Sequence, residues 1–357
     1  MEVIYKNKGR IMNIKRVIVS RTDKIGDLIL SIPSFFMIKK MYPQAELVVL
    51  VRKYNYEIVK NLPYVDRIIK IDDYTHSELI EKIAYFKADI FIALYNDRFV
   101  SQLAKASKSK IKIGPLSKLY SFFAFNKGVW QKRSKSIKNE AEYNLDLIRK
   151  ADEKRYDEVF EINTKIYLGE ENIKAAETFF STYNIVGEAL VVNPFIGGSA
   201  KNIKDEEYVS LLQRFRDENP ERNVVIICHI SEEERGMKMI EAIDREKVYL
   251  YANGGDLLNI AAIIDKGSVY LGASTGPTHI AGALQKRVVG IYPAKATQST
   301  TRWGVFGNNK VKYLVPDKNN PKENYKNPYF DKYDKIMEGE LLNYIEESFL
   351  LEEGEKN

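Results

Sequence analysis

The clearest indication of the fold class lies in the stretch SVYLGASTGPTHIAGALQKRVVGIYP, residues 268–293. Its first six residues form an apolar run of strand length, and a corner of small residues separates them from a helical segment that carries His279. Pro277 suits the first turn of that helix, because the amide hydrogen that proline lacks has no intrahelical partner there. The run RVVGIYP at 287–293 predicts a second strand, so the stretch is a strand–helix–strand unit of a parallel sheet.

The same alternation extends through the rest of the chain. Helix-length segments separate the strand-like runs, and among them 28–42 is predicted to form one helix kinked at Pro33. We predict further strands at 16–20, 46–51, 67–71, 89–95 and 110–114 in the first half, and at 189–195, 224–230 and 248–252 in the second. Alternation of this kind is typical of parallel sheets with helices on both faces.

The length of the chain predicts two domains, since 357 residues exceed the usual size of about 150 residues for one domain. We predict an α/β fold in which two Rossmann-like domains face each other across a cleft. The N-terminal domain is placed at 1–165 and the C-terminal domain at 166–335, with 156–166 leading from one to the other. The segment 336–357 is predicted to be a helix that packs on one domain. Ligands of such sheets bind beyond the carboxyl ends of the strands, so the cleft is the expected site.

The composition is globular, with 45% hydrophobic and 29% charged residues, and no apolar run approaches the roughly 20 residues of a membrane span. The N-terminal segment 1–19 is interrupted by too many polar residues to resemble a secretion signal. Cys228 is the one cysteine, which excludes an intramolecular disulfide framework. These features predict a cytoplasmic protein.

The net charge of +6 is spread over the chain, with basic residues among nearly as many acidic ones, which argues against nucleic-acid binding. An acidic small molecule or an anionic membrane surface fits the charge equally well. The densest basic segments are 105–118 and 130–138. An ordinary solvated surface is the preferred interpretation of these two segments.

The corner 274–279 is predicted to bind an anion. The backbone amides of Thr275, Gly276 and Thr278 would point outward at the positive end of the helix, and a glycine lets a phosphate approach the backbone closely. A diphosphate would fit there. His279 lies in the first turn, where the helix field disfavours its protonated form, so we expect a neutral hydrogen-bond donor. A packed histidine that stabilises the helix end is the alternative.

A second corner follows the strand at 16–20 and contains Gly26 and Asp27. A carboxylate at this position could accept a proton from a nucleophilic hydroxyl, as a general base does. Alternatively, Asp27 or Asp23 caps the helix that follows, a role for which aspartate is well suited. The residues alone support both interpretations equally.

A third corner follows the strand at 189–195. Gly197, Gly198 and Ser199 form a turn there, and Lys201 comes just beyond it. Two glycines, a hydroxyl and an ammonium group indicate a second surface that faces phosphate, although the spacing is not that of a P-loop. Lys201 would neutralise charge on a leaving group.

Glu232 is the first acidic residue after the strand at 224–230, a position from which an acid can accept hydrogen bonds from ribose hydroxyls. The alternative is a solvated glutamate in an acidic run at a helix start. The spacing of His, Cys and carboxylate residues suggests no metal site, and the pattern GxGxxG is absent.

Taken together, these corners resemble glycosyltransferase family 9, the heptosyltransferases of bacterial lipopolysaccharide and lipooligosaccharide cores. Each motif is modest, and their order along the whole chain carries the resemblance. The matching segments are RTDKIGDLILSIP (21–33) with YP at 42–43, NLPYVDRIIKID (61–72), the lysine of SAKNIKDEEY (199–208), the glutamate of SEEER (231–235), STGPTHIAGAL (274–284) and TRWGVFG (301–307).

The resemblance implies a GT-B fold and an inverting transfer that uses no metal or other cofactor. Its substrates would be a nucleotide sugar, ADP-heptose in the first place, and a lipid-linked oligosaccharide acceptor of the lipopolysaccharide core. The enzyme would work in the cytoplasm, in peripheral contact with the cytoplasmic face of the inner membrane. By position the resemblance assigns Asp27 as catalytic base, Lys201 as donor-phosphate lysine, Glu232 as ribose-binding acid, and Thr275, Gly276 and His279 to the donor-phosphate corner.

Ser274 departs from the family pattern, which commonly has an aspartate at this position. A serine cannot supply the negative charge that would meet hydroxyls of the donor sugar. This departure therefore affects the assignment of the donor sugar more than the assignment of the diphosphate site. Two alternatives remain from the sequence: a nucleotide-sugar epimerase of the same two-domain architecture, and a nucleotide-sugar-binding protein without transferase activity.

Overall fold

The computed structural model describes residues 13–197 and 200–356, and within them the chain forms two parallel sheets. The first sheet has the strand order β3-β2-β1-β4-β5 and the second β11-β10-β9-β6-β7-β8. The strands are Arg16–Ser20 (β1), Glu46–Val51 (β2), Arg67–Lys70 (β3), Ile90–Ala93 (β4), Ile111–Ile113 (β5), Ala189–Asn193 (β6), Asn223–His229 (β7), Val248–Asn253 (β8), Val269–Ala273 (β9), Arg287–Ile291 (β10) and Val311–Leu314 (β11). The predicted fold of two α/β domains is confirmed.

The helices connect the strands and cover the sheets. In the first half they are Ile25–Ile29 (α1), Ile32–Met41 (α2), Glu57–Lys60 (α3), His76–Phe86 (α4), Arg98–Ala106 (α5), Leu119–Phe122 (α6), Glu140–Arg149 (α7) and Glu153–Val159 (α8). In the second half they are Glu170–Thr182 (α9), Asp205–Glu218 (α10), Glu233–Ile243 (α11), Leu257–Lys266 (α12), Gly276–Ala283 (α13), Thr300–Trp303 (α14) and Lys335–Lys356 (α15). None of the helices in this part of the chain is long and apolar enough to cross a membrane.

One local prediction was wrong. The segment 28–42 is not one kinked helix, because α1 ends at Ile29 and α2 begins at Ile32. Pro33 lies in the first turn of α2, where the missing amide hydrogen is tolerated. The segment 156–166, predicted to lead from one half to the other, begins inside α8 and continues without helix or strand.

The predicted domain boundaries stay a prediction, and the structure shows which elements lie on either side of them. The boundary at 165/166 falls in the segment 160–169, which contains neither helix nor strand. The C-terminal helix α15 packs on β9, β10 and β11 and on α10, all of which belong to the second sheet and its layers.

Apolar packing is continuous between the two halves. Val17, Ile18 and Val19 of β1 are fully buried, as expected of a central strand with helices on both faces. The buried cluster that contains Val19 also includes Val191 of β6 and Ile280 of α13. The two sheets therefore meet through shared apolar side chains near the cleft.

Strand order determines where the cleft can bind a ligand. In the first sheet β1 pairs with both β2 and β4, and in the second β6 pairs with both β7 and β9. The connections leave these neighbouring strands toward opposite sides, so a crevice opens beyond their carboxyl ends. The helices α1 and α13, which begin at these two crevices, pack against each other. Both switch points therefore face the same space.

Candidate active site

A cavity of about 930 Å³ lies between the two sheets at this point. Its volume is typical of small-molecule sites, which occupy about 300–1,000 Å³. The residues that the sequence singled out and that line the cavity are Asp27, Gly197, Lys201, Glu232, Ser274, Thr275, Gly276 and His279. Gly198 and Ser199 lie outside the described residues. The first sheet thus contributes the aspartate, and the second contributes the other predicted residues.

Asp27 is held by an arginine and does not cap its helix. The residue that precedes α1 is Lys24, and no side chain caps the first turn. Arg21 donates from Nη2 to Asp27 Oδ1, and its Nε lies 2.6 Å from Asp23 Oδ1. The capping alternative for Asp23 and Asp27 is therefore not observed. Both carboxylates line the cavity, so a proton acceptor is available there.

Asp23 and Asp27 form a carboxylate pair on one guanidinium. Burial raises the pKa of Asp23 to about 7, opposed by the charge of Arg21 and reinforced by the charge of Asp27 and by a side-chain hydrogen bond to it. Because the charge of Asp27 lies close by, ionising the buried Asp23 is costly, so Asp23 keeps its proton to a higher pH than an exposed aspartate does.

Arg21 connects this pair to the second domain. Its guanidinium is buried, and Nη1 lies 3.1 Å from Glu140 Oε1 at the start of α7. The other oxygen of Glu140 lies 2.5 Å from Nη2 of Arg302, which belongs to α14. Burial disfavours the charge on Glu140, but Arg21, Arg133 and Arg302 outweigh it and lower its pKa. A chain of ion pairs thus links the loop of Asp27 to the C-terminal half.

His279 lies in the first turn of α13 with its ring packed against Gly26 of α1. A methyl group added to Gly26 would lie 2.7 Å from Cδ2 of His279. Burial lowers the pKa of His279 to about 4, with the charge of Asp27 acting in the opposite direction, so the ring is neutral at pH 7. Its Nδ1 has no hydrogen-bond partner among the described residues. The contact of the ring with Gly26 therefore agrees with the alternative of a packed histidine, and Nδ1 of the ring has no partner among the described residues.

Hydrogen bonds to neighbouring residues fix the corner that precedes α13. Asn193, at the end of β6, donates from Nδ2 to Thr275 Oγ1 at 3.2 Å, and the Thr278 hydroxyl donates to the carbonyl of Ala273. Ser274 is hydrogen-bonded to the hydroxyl of buried Tyr292. The first amides of a helix lack intrahelical acceptors, so this fixed corner presents donors to the cavity.

The prediction that the ammonium group of Lys201 faces the donor phosphate is not supported. Lys201 is only 2% exposed, and its Nζ lies 2.7 Å from Glu323 Oε1. The same group donates to the carbonyls of Asn324, Asn327 and Tyr329, at 3.1, 3.0 and 2.6 Å. Other atoms of Lys201 line the cavity, but the charge is directed into the 323–330 loop. Sequence reasoning missed this because the loop lies more than 120 positions further along the chain.

Glu232 comes just before α11, after β7, and its side chain is 30% exposed toward the cavity. Its Oε1 lies 3.9 Å from Nη1 of Arg235, which leaves the carboxylate accessible to another partner. No group of three or more His, Cys, Asp or Glu side chains in the described part of the chain could hold a metal ion.

Four aromatic residues that line the cavity were not predicted as site residues, among them the buried Phe195. Tyr54 and Tyr95 come from the first domain, where they are 53% and 38% exposed, and Trp303 from the second. Tyr95 follows the carboxyl end of β4, which is a usual position for a ligand-binding residue and a signal that was available in the sequence. Tyr54 lies in a short helical turn after β2 and gave no comparable signal.

The comparisons with known proteins agree with this geometry. A solved glycosyltransferase of family 9 from Veillonella parvula superimposes with a TM-score of 0.77 at 17% identity, over 95% of this chain and 99% of the other. The ADP-heptose lipopolysaccharide heptosyltransferase II of Escherichia coli superimposes with a TM-score of 0.76 at 15% identity, over 95% and 100%. The fold is therefore the GT-B type of these glycosyltransferases.

The family follows from the sequence match. The model of glycosyltransferase family 9 (heptosyltransferase) matches residues 77–333, so the chain belongs to that family. A Haemophilus influenzae protein named "Putative glycosyltransferase" is 27% identical over 297 residues, which are 81% of this chain and 85% of the other. The chain is thus a glycosyltransferase, which sets aside the epimerase and the non-catalytic alternatives.

Proposed function

We propose that the protein transfers a heptose from ADP-heptose to a lipopolysaccharide or lipooligosaccharide core acceptor, with inversion at the anomeric carbon and without a metal ion. The observation that carries the proposal is that Asp27 and the amino-terminal end of α13 face one cavity from opposite domains. An inverting transfer needs a base on the acceptor hydroxyl and positive potential at the departing diphosphate. Family membership and the named substrate of the E. coli heptosyltransferase II support the choice of donor.

Asp27 is proposed as the base. Its carboxylate accepts the proton of the acceptor hydroxyl while that oxygen attacks the anomeric carbon from the face opposite the diphosphate. Arg21 fixes the orientation of the carboxylate through its Nη2. Because Arg21 is itself held by Glu140, the base is positioned by groups that do not touch substrate.

The diphosphate is proposed to bind at the amides of Thr275 and Gly276, which line the cavity, whereas Thr278 is fully buried and does not line it. The helix end stabilises negative charge, and this charge increases as the bond to the sugar breaks. Gly197, which lines the cavity, is proposed to face the phosphates as well. Lys201 is assigned no phosphate contact, because its charge serves the 323–330 loop.

Other residues of the cavity are proposed to contact the ribose and the sugar of the nucleotide-sugar donor. Glu232 is proposed to accept hydrogen bonds from the ribose hydroxyls, and Ser274 to meet the sugar. The resemblance places His279 at the donor-phosphate corner; its ring is neutral, and its Nδ1, which has no partner among the described residues, is buried. The lipid-linked acceptor would enter beside the first domain, with the enzyme in peripheral contact with the inner membrane.

The proposal is tested by measuring ADP release from ADP-heptose with and without a heptose-deficient lipopolysaccharide acceptor. We expect release only with the acceptor, together with a heptosylated product. An epimerase would change the sugar without releasing ADP. In a parallel thermal-shift screen, ADP at 100 times its dissociation constant should stabilise the protein by about 2.7 kcal/mol. Stabilisation by UDP or GDP but not by ADP would contradict the choice of donor.

A further inference from the structure

The segment 105–138 has a charge unlike that of the rest of the chain. It contains ten lysine and arginine residues and no aspartate or glutamate. Because the net charge of the whole chain is +6, the remainder is net negative. The segment therefore carries a concentrated positive charge, although Arg133 and Lys138 are paired with Glu140 and Asp146.

Four large apolar side chains are exposed in the middle of this basic segment. Leu119, Phe122, Phe123 and Trp130 are 77%, 45%, 72% and 72% exposed, and we call them the aromatic patch. The rings of Phe122 and Trp130 meet edge to face, with centroids 5.3 Å apart. Several large apolar groups exposed together are typical of a surface that contacts a partner or a membrane.

The aromatic patch is fixed by the fold and does not result from a loose loop. Ser121, Ala124 and Phe125 of the same turn are buried. The ring of Phe125 fills the space beside Gly114, where an added methyl group would lie 2.4 Å from its Cζ. The chain therefore anchors one face of α6 in the core while the aromatic patch stays outside.

The aromatic patch lies next to the cavity. Ser121 accepts a hydrogen bond from Asn96 Nδ2 at 3.0 Å, and the neighbouring residue Tyr95 lines the cavity. The patch therefore adjoins the wall that the first domain contributes, which is the side assigned to the acceptor. A surface that held the lipid end of an acceptor would have to be in this neighbourhood.

We propose that the aromatic patch and the surrounding lysines dock on an anionic phospholipid bilayer. Aromatic side chains settle at the level of the headgroups, and lysines near the surface are attracted by anionic lipids. Lys118, Lys132 and Lys135 are exposed beside the patch. The purpose of docking rests on the proposed function, because a lipid-linked acceptor is presented at the surface of such a bilayer.

Co-sedimentation with vesicles tests the proposal. The vesicles contain phosphatidylcholine alone or phosphatidylcholine with phosphatidylglycerol at about three to one. We expect the protein to bind to the anionic vesicles only. The triple change Lys118→Gln, Lys132→Gln and Lys135→Gln should weaken this binding on the order of a hundredfold, because each lysine near the surface contributes about 1 kcal/mol and about 1.4 kcal/mol corresponds to a tenfold change in affinity. The matched control changes three exposed lysines elsewhere, Lys154, Lys174 and Lys238, to Gln and should bind nearly as the parent does.

The apolar part is tested separately. Phe123→Ser with Trp130→Ser should weaken binding at least about tenfold, whereas Tyr85→Ser with Ile336→Ser, at positions 82% and 81% exposed elsewhere, should not. Trp130 fluorescence should shift to the blue on vesicle binding, and Trp130→Phe should lose most of this shift while still binding. Absence of binding to anionic vesicles, or equal weakening by patch and control variants, would overturn the proposal.

Two further measurements separate this inference from the proposed function. Patch variants should transfer sugar to a deacylated, water-soluble acceptor at the parent rate, because the aromatic patch contacts only the bilayer. If no acceptor is glycosylated while anionic vesicles still bind, the proposed function fails and the docking surface stands. If a nucleic acid competes for the lysines but vesicles do not bind, the docking proposal is wrong.

Discussion

Gly26 and His279 are in contact across the two domains, the glycine at the start of α1 and the histidine in the first turn of α13. The imidazole occupies the space where any other residue at position 26 would place its Cβ. The contact sets the distance between Asp27, which is the next residue after Gly26, and the amides that begin α13. The glycine is therefore part of the geometry of the cavity, although it carries no reactive group.

Gly26→Ala tests this contact. The added methyl would lie 2.7 Å from His279 Cδ2, so the two helix ends must separate. A displacement of this size at a site that depends on positioning should lower turnover about a hundredfold. The control is Gly255→Ala, where an added methyl meets nothing within 4 Å. Normal turnover of Gly26→Ala, measured with saturating ADP-heptose, would show that the spacing is not critical.

Ser274→Asp tests the donor sugar. Exchanging a hydroxyl for a carboxylate changes which sugar hydroxyls find partners, so the ranking of donors should change by about 1–3 kcal/mol. The measurement is the ratio of kcat/KM for ADP-heptose and two ADP-hexoses in parent and variant. Affinity for ADP alone should change less. Since Ser274 is bonded to Tyr292, Tyr292→Phe serves as the control for that bond.

Lys201 and Glu323 are expected to behave as a structural pair. Removing one partner leaves the other charge buried, so Lys201→Met and Glu323→Gln should each lower the free energy of unfolding by about 3–5 kcal/mol. The double variant should lose less than the sum of the two, which a double-mutant cycle in denaturant measures. Additive losses, with weaker ADP binding in Lys201→Met alone, would restore the phosphate contact that the sequence suggested.

The carboxylate pair predicts the pH dependence of the rate. With the pKa of Asp23 at about 7, its carboxyl group holds a proton below that pH and releases it as the pH rises. Loss of that proton removes the hydrogen bond from Asp23 to Asp27 and adds a negative charge beside the proposed base, so kcat/KM should rise through about pH 7 and level off above it. Asp23→Asn should abolish this rise, whereas the exposed Asp73→Asn should not. An unchanged profile in Asp23→Asn would remove Asp23 from the titration.

Strands and corners could be predicted from the sequence because their signals are local. Buried strands such as β1 and β6 are nearly continuous apolar runs, and a glycine or proline marks the corner that follows. Helix α4 begins at a capping box of Thr75 and Glu78, so its bounds were also accessible. The edge strand β11 was missed, since it is short and only its last residue is buried.

Contacts between distant segments could not be predicted in this way. Nothing near Arg21 in the sequence indicates that Glu140 and Arg302 will complete its ion pairs. The direction of the Lys201 ammonium group likewise depends on carbonyl groups of a loop in a different part of the chain. Sequence patterns and resemblance place residues at a corner. The direction of each side chain depends on the groups of distant segments that the fold places beside it.

The role of Asp27 as the base that activates the acceptor can be examined by the single change Asp27→Asn. The amide keeps the shape of the side chain but cannot take up the proton, so turnover should fall on the order of 10²–10⁴-fold. The dissociation constant for ADP, measured by calorimetry on the same preparation, should stay within about twofold of the parent, because the proposed nucleotide site lies in the other domain. Turnover close to that of the parent would show that Asp27 is not the base.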